Sequence, residues 1–516
     1  MINFFSSKNT TLDTKLDSTL VSPPFWGGFR RGFFLLLLIS FFACRKEPVY
    51  ISTDAKLEFS RDTLRFDTVF TSLGSATRSI KVFNPYDKAL KINKIYLENG
   101  EKSIFNLNID GVSGDSQQEI EIPAKDSIYI FAEVTINPNN ANNPFIIDEN
   151  LVFETNGNTQ KVILEAWGQN ANYIPNNDAK GNVFTISFDV TWSDPKPYII
   201  YGILLVDNAK LTIPAGARVY VHGGLIKGTT SKNEKFVYND GMIIVQNGGS
   251  IECQGTKTKP VLIGGDRLEK DFENTAAQWN LMYIGTDCSG KFSYTTIKNA
   301  RIGLFADSTS NVDLYYSKIY NTAGPGIYAK QANIKADNCI IYNNGASSYT
   351  AVQGGTHELT YCTLANYGNN SSSLFLSNNN CLKRDDKNNC LQFAYADLNA
   401  TVQNCIVTSS QRDAIDLSQS DKAAFNYAFS NDVVRVERLL LPTAFPNFLT
   451  QKCKDCINYT GTGKLFKSID KDNYHLDTLS VAEQKAKPIQ GFDFDLDGVP
   501  RDAQKPDIGA YEYKPK

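Results

Sequence analysis

Acid–base chemistry needs carboxylates held beside a base or an imidazole, and this chain sets few such groups together. Asp266-Arg267 and His357-Glu358 are adjacent acid/base pairs, each isolated in the sequence, and the whole chain carries three His in 516 residues. Asp493, Asp495 and Asp497, followed by Gly498, put oxygens at alternate positions as the opening of a calcium loop does. The twelfth position, where such a loop needs a bidentate Glu, holds Gln504, so these three Asp are weak calcium candidates. No other cofactor is suggested. Cys381 and Cys390 flank the polar loop LKRDDKNN, and Cys453 and Cys456 form a C-x-x-C. Both pairs are candidate local disulfides; free thiols, half a zinc site or redox chemistry are the other uses of the second spacing, which has no second C-x-x-C or His pair beside it. G-x-S-x-G, H-E-x-x-H and phosphate-loop patterns are absent. No residue presents itself as catalytic, and the sequence leans against an enzyme.

The elements that must carry any site are strands. Tyr (25) and Phe (31) are abundant and Met (3) scarce, a balance that favours sheet over helix. A net charge of −3 gives no reason to expect a nucleic-acid partner. From residue 171 to about 450 the informative feature is a repeat. FSYTTIKNA, LYYSKIYNT, ADNCIIYNN, LTYCTLANY and VQNCIVTSS align a column of small residues, Thr295, Ser317, Cys339, Cys362 and Cys405. Two positions on lies the branched column Ile297, Ile319, Ile341, Leu364 and Val407, and two further on Asn299, Asn321, Asn343 and Asn366, then Ser409. The spacings are 22, 22, 23 and 43 residues, the last close to two turns. A period near 22 rich in β-branched residues describes the coil of a parallel β-helix. Side chains alternate across a strand, so the small and branched columns face inward and the three stacked Cys read as wall residues. The Asn column is expected as a structural ladder of amides at a bend, since an isolated buried amide is costly. The outward positions hold Tyr294, Tyr316 and Tyr361, interrupted by Asn338, with Tyr320 and Tyr342 beside them. These five Tyr are candidates for stacking on a ligand, or for covering a half-buried face.

The upstream run Leu211-Thr212-Ile213-Pro214-Ala215-Gly216 and the later GMIIVQNGGSIECQGTKTKPVLI resemble the first coils of bacterial right-handed parallel β-helix proteins. That resemblance implies the fold strongly and the function weakly, because the scaffold hosts lyases, glycosidases, adhesins and scaffolds. The tail FDFDLDGVPRDAQKPDIGAYEY resembles the C-terminal signature of the choice-of-anchor Q group of β-helix surface proteins, through Asp495, Asp497, Gly498, Arg501, Asp507, Ile508, Gly509, Ala510 and Glu512. It implies a structural cap over residues 451–516 in which Arg501 pairs with nearby carboxylates.

Residues 52–170 alternate apolar and polar positions in short runs such as Ile128, Ile130, Ala132, Val134 and Ile136, separated by Asn84-Pro85, Asn99-Gly100 and Asn156-Gly157 turn signals. They predict an antiparallel sandwich. The run IKVFNPYDKALKINKIYLENGEKSIFNL resembles the abnormal-spindle/hydin type of immunoglobulin-like domain, which implies a spacer or protein-binding module. The fold class expected is all-β: an N-terminal immunoglobulin-like β-sandwich followed by a right-handed parallel β-helix.

At the N-terminus, Phe33 to Ala43 is an apolar run directly after Arg30-Arg31. It is too short to span a bilayer and has the form of a secretory signal. A small residue followed by Cys44 resembles a bacterial lipobox, which implies a signal peptide and extension over 1–43, lipidation at Cys44 and a linker to residue 51. Arg45 stands where Asp resembles an inner-membrane retention signal, so the expectation is a lipid anchor in the cell outer membrane, periplasmic or surface-exposed. The expected partners are the membrane, through the lipid, and a polysaccharide or surface protein, with no nucleic acid. Non-catalytic glycan or protein binding leads; a polysaccharide lyase or glycoside hydrolase on the same scaffold is the alternative.

Overall fold

The structure is a computed structural model, and it describes residues 49–71, 74–75, 77–137, 145–174, 183–229 and 235–515. Cys44 and the N-terminal apolar run lie outside the described residues. The main division into compact units falls between Gly168 and Gln169.

The first unit is two antiparallel five-stranded sheets. One runs in the order Glu58–Phe59, Arg78–Phe83, Ser127–Val134, Phe105–Ile109, Val112–Ser113; the other runs Thr63–Phe70, Asn158–Gln169, Phe145–Thr155, Leu90–Leu97, Ser116–Ile122. Strict alternation drives this arrangement: Ile128, Ile130, Ala132 and Val134 are buried while Tyr129 and Phe131 between them are exposed. Ile80, Val82, Ile92, Ile95, Leu107, Val162 and Leu164 meet these residues in one core. Each such side chain contributes about 1.5–3 kcal/mol on burial.

The second unit is a right-handed parallel β-helix. Each coil runs along a broad sheet, then crosses to a narrow one; among the described residues the broad sheet has 17 strands and the narrow sheet 11. The branched column of the repeat is a true register column, because Ile297, Ile319, Ile341, Leu364 and Val407 are successive parallel neighbours. All five are buried. The interval of 43 residues is one enlarged coil rather than the two turns expected from the spacing, since Leu364 pairs directly with Val407. Its extra length is a hairpin, Asn379–Arg384 against Cys390–Tyr395, inserted between two strands of the broad sheet.

The corner between the sheets is built alike in seven successive coils. Tyr294, Tyr316, Asn338, Tyr361, Asn404, Asn431 and Asp455 have φ between 43° and 56°. Each turns the chain in the left-handed region, and from Tyr294 to Asn431 each donates its backbone N–H to the coil that follows, as Tyr294 does to Tyr315 O at 2.9 Å. After each comes the small column, which extends beyond Cys405 to Asp432 and Cys456. Among the described residues, no helix is long and apolar enough to cross a membrane.

Candidate functional site

The Tyr column does rise in register: the Tyr294 and Tyr316 rings stack at 4.7 Å with a 4° tilt, and Tyr320 and Tyr342 at 4.8 Å. It is not an open stripe, because residues 465–513 pack along it. Tyr316 and Tyr342 lie against a cluster formed by Leu465, Tyr474, Leu476, Ile508 and Tyr511. Tyr361 is fully buried, its hydroxyl donating to Lys487 O at 2.9 Å and its ring 4.0 Å beneath the Arg501 guanidinium. The short Asn338 marks where Arg501 enters, and its Oδ1 accepts from Arg501 Nη2 at 2.7 Å. Tyr294, Tyr316 and Tyr361 therefore repay the cost of a left-handed aromatic residue, about 1–2 kcal/mol each, through packing. Residues 465–513 lie along the side of the coils.

The Asn column also differs from a continuous amide ladder. Asn299 Nδ2 donates to Glu273 O and Thr275 O, Asn321 to Asn274, and Asn343 to Asp472. Positive φ at Asn299, Asn321 and Asn343 aims their amides at overlying loops. The inter-coil ladder is instead Thr322–Asn344–Asn366, with Asn344 Nδ2 to Thr322 Oγ1 at 2.8 Å and Asn344 N to Asn366 Oδ1 at 3.0 Å.

The calcium candidates do not converge. Asp493 is exposed, while buried Asp495 accepts from Val499 N and Glu512 N, and Asp497 pairs with His475 Nε2 at 2.8 Å. The tail signature is an internal network: Arg501 donates to Glu512, Asp507 O and Gly509 O, and Asp507 accepts from Gln484 N and Tyr513 N. Cys381 is bonded to Cys390 and Cys453 to Cys456.

Neither sequence-adjacent acid/base pair survives as a pair. His357 is buried and bonded through Nδ1 to the Tyr349 hydroxyl at 2.7 Å. Asp266 meets His222 Nδ1 at 2.6 Å, and Arg267 turns to Glu269. Tyr201 and His222 occupy one column, stacked at 4.3 Å.

An outward face of the broad sheet holds the arrangement best suited to a ligand. Leu205, Ile244, Tyr283, Phe305, Tyr328, Thr350, Phe375 and Asp416 are successive register neighbours. At about 4.8 Å per coil this column is about 34 Å long. Tyr283, Tyr328 and Phe375 are half-buried, whereas Phe305 is buried. The Tyr283–Phe305 and Phe305–Tyr328 pairs meet edge to face at 5.2 and 4.9 Å, which fixes their orientation. Beside the rings, Asp307 accepts from the Tyr283 hydroxyl at 2.6 Å and from Lys330 Nζ at 2.9 Å. Burial works against the Asp307 charge, but these two donors outweigh it and hold the carboxyl below its ordinary range. At the far end Asp416 faces a groove of about 460 Å³ that Arg412, Asp413 and Arg438 also line. Asp416 is exposed at this groove, and partial desolvation there raises its carboxyl. Asp413 is spent on structure, accepting from Glu437 N and Leu439 N.

The sequence model of the family described as "Right handed beta helix region" matches residues 281–434. No curated protein matches the chain. Among solved structures, the catalytic unit of a thermostable GH87 alpha-1,3-glucanase from Streptomyces thermodiastaticus is similar at 11% identity, over 69% of this chain and 75% of that one, with a TM-score of 0.26. A GH87 alpha-1,3-glucanase catalytic domain in complex with nigerose is similar at 11% identity, over 70% and 81%, with a TM-score of 0.19. The ASH/PapD-like domain 7 of human CEP192 is similar at 10% identity, over 24% of this chain and 94% of that domain, with a TM-score of 0.16. The fold class is all-β, an antiparallel sandwich followed by a right-handed parallel β-helix.

Proposed function

We propose that this chain is an outer-membrane lipoprotein, anchored through Cys44, that presents its β-helix to bind an extended glycan without turning it over. The observation that carries the binding reading is the column in which half-buried Tyr283 and Tyr328 flank buried Phe305, with Phe375 beyond Thr350 and Asp307 and Lys330 at its edge. Rings offer flat apolar faces to sugar rings, and the edging groups offer hydrogen bonds to hydroxyls. The N-terminal sandwich serves as a spacer of the abnormal-spindle/hydin type, and the tail is a choice-of-anchor Q-like segment.

On the scale of aromatic pairs, each ring contributes about 0.5–1.5 kcal/mol. Replacing Tyr283, Tyr328 and Phe375 together by Ala is expected to weaken binding to the best glycan of an array tenfold or more. Unchanged affinity with a depressed melting temperature makes the column mere packing. Cys44→Ser is expected to move the protein from the membrane to the soluble fraction; equal membrane association of both forms refutes the anchor. The raised Asp416 carboxyl in its groove favours a second reading, a lyase or hydrolase with Asp416 as general acid. Product release from the array's best glycan, abolished by Asp416→Asn, would select it.

A further inference from the structure

The small column at the corner holds Thr295, Ser317, Cys339, Cys362 and Cys405, and then an acid, Asp432, one coil below Cys456. Asp432 has no exposed surface. Its carboxylate accepts from Cys405 N at 2.6 Å and Ser430 N at 2.9 Å. A ladder of small wall residues has no need of a carboxyl, since Ser317 fills the equivalent place with a hydroxyl. What distinguishes position 432 is its neighbour: a carboxyl oxygen of Asp432 and the sulfurs of Cys453 and Cys456 lie within 4.8 Å of one another. The two sulfurs are bonded. They differ in access, Cys453 being buried and Cys456 part-exposed, with exposed Lys452 and Lys454 on either side of Cys453 in sequence.

We propose that Cys453–Cys456 is a redox-active disulfide that accepts two electrons from a protein dithiol, with Asp432 as the internal proton donor to the buried sulfur. The thiolate of the partner attacks the accessible Cys456 Sγ. The Cys453–Cys456 bond breaks, its electron pair leaves on Cys453 Sγ, and the Asp432 carboxyl supplies the proton that makes Cys453 a thiol. The partner's second thiol gives its proton to solvent. That thiolate attacks its own partner sulfur in the mixed disulfide and releases Cys456, which is protonated by solvent. The partner is oxidised to a disulfide, Cys453 and Cys456 are reduced to thiols, and the Asp432 carboxylate regains its proton by exchange with solvent. A buried thiolate leaving group without a proton donor is disfavoured, because leaving is faster the more its charge is neutralised. Burial raises the Asp432 carboxyl, against two backbone N–H groups that favour its charge, and a carboxyl so placed is suited to exchange a proton with the neighbouring sulfur. This proposal is independent of the glycan reading, as it concerns a different wall of the helix.

The same molecule carries its own control, the hairpin disulfide Cys381–Cys390, which has no such carboxyl among the described residues. The full chain is treated with dithiothreitol at neutral pH, quenched by alkylation at intervals, and both disulfides are followed by mass spectrometry of peptides. Cys453–Cys456 is expected to open at least tenfold faster than Cys381–Cys390, though Cys453 is buried. Asp432→Asn and Asp432→Ser, the latter matching Ser317 of the column, are expected to slow it at least tenfold and leave the hairpin rate unchanged. Any smaller ratio in the parent, or any smaller slowing in a folded variant, overturns the proposal. If neither variant folds, the ratio within the parent decides alone. Retention of one zinc per reduced chain through gel filtration also overturns it, by making the trio a metal site.

Discussion

Arg501→Ala is the substitution whose cost the structure defines best. The side chain is 2% exposed and Glu512 9%. Its guanidinium donates to Glu512 Oε2 at 3.2 Å, Asp507 O at 3.2 Å, Gly509 O at 2.9 Å and Asn338 Oδ1 at 2.7 Å, and lies 4.0 Å from the Tyr361 ring. Net bonds to a charged group are worth about 1.5–3 kcal/mol each, but the desolvation of a buried cation removes much of that sum. The quantity that survives is the penalty of leaving Glu512 buried without its partner, about 3–5 kcal/mol. Burial, then Asp507, already raises the Glu512 carboxyl, so the variant is expected to bind a proton there more readily. Urea unfolding of the full chain followed by tyrosine fluorescence measures the loss, and brief proteolysis locates it. New cleavage is expected within residues 465–513, ahead of the coils. Arg501→Lys is expected to recover less than half, because a point charge cannot serve four acceptors held in a planar fork. A loss under 1 kcal/mol, or full rescue by Lys, refutes the account of this network.

Two buried groups give stability a pH dependence of opposite sign. Burial pushes the Asp337 carboxyl up from 3.8 to about 6, so the folded chain binds its proton more tightly and stability falls as pH rises from about 4 to 6; Asp337→Asn should remove at most about 3 kcal/mol of this fall and raise stability at pH 7, as urea midpoints at pH 4.5 and 7 would report. Burial pushes His357 down from 6.5 to about 4, so the folded chain binds its proton less tightly and stability is lost as pH falls through that window, by up to about 3.4 kcal/mol; His357→Gln should flatten it, and an unchanged slope below pH 6.5 would place His357 outside the balance.

What could be read from the sequence is what the coil repeats. Ile297, Ile319 and Ile341 recur because each fills the same place against the same neighbours, so spacing alone exposes the register. The aromatic column obeys the same rule, as Tyr283, Phe305 and Tyr328 are 22 and 23 residues apart. It is harder to see because the clearest repeat columns belong to the narrow sheet, two strands away. Insertions hid other pairs: His222 and Asp266 are neighbours in space but 44 residues apart, because the hairpin Leu225–Thr229 with Lys235–Asn239 enlarges that coil. The burial of the Tyr column was not legible at all. Tyr361 meets Lys487 across 126 residues, and no periodicity within the coils announces a segment that follows them. An amphipathic Tyr at a half-exposed position looks the same whether a ligand or the chain's own tail covers it.

The two-residue corner has a consequence for how such a chain can change length. Between the broad and narrow sheets, seven coils in succession spend the same two residues, from Tyr294-Thr295 to Asp455-Cys456. Adding or deleting one residue there would shift the following strand by one position and turn Ile319 or Leu364 out to water, while the next coil kept its own register. Other corners accept insertions: the disulfide hairpin at 379–395 and the segment 266–278 are both accommodated with the narrow-sheet strands on either side still in register. Growth by grafting is thus confined to particular edges of the solenoid. New surface can be tried there repeatedly, by lineages or by design, while the invariant corner preserves the stacking on which every later coil depends.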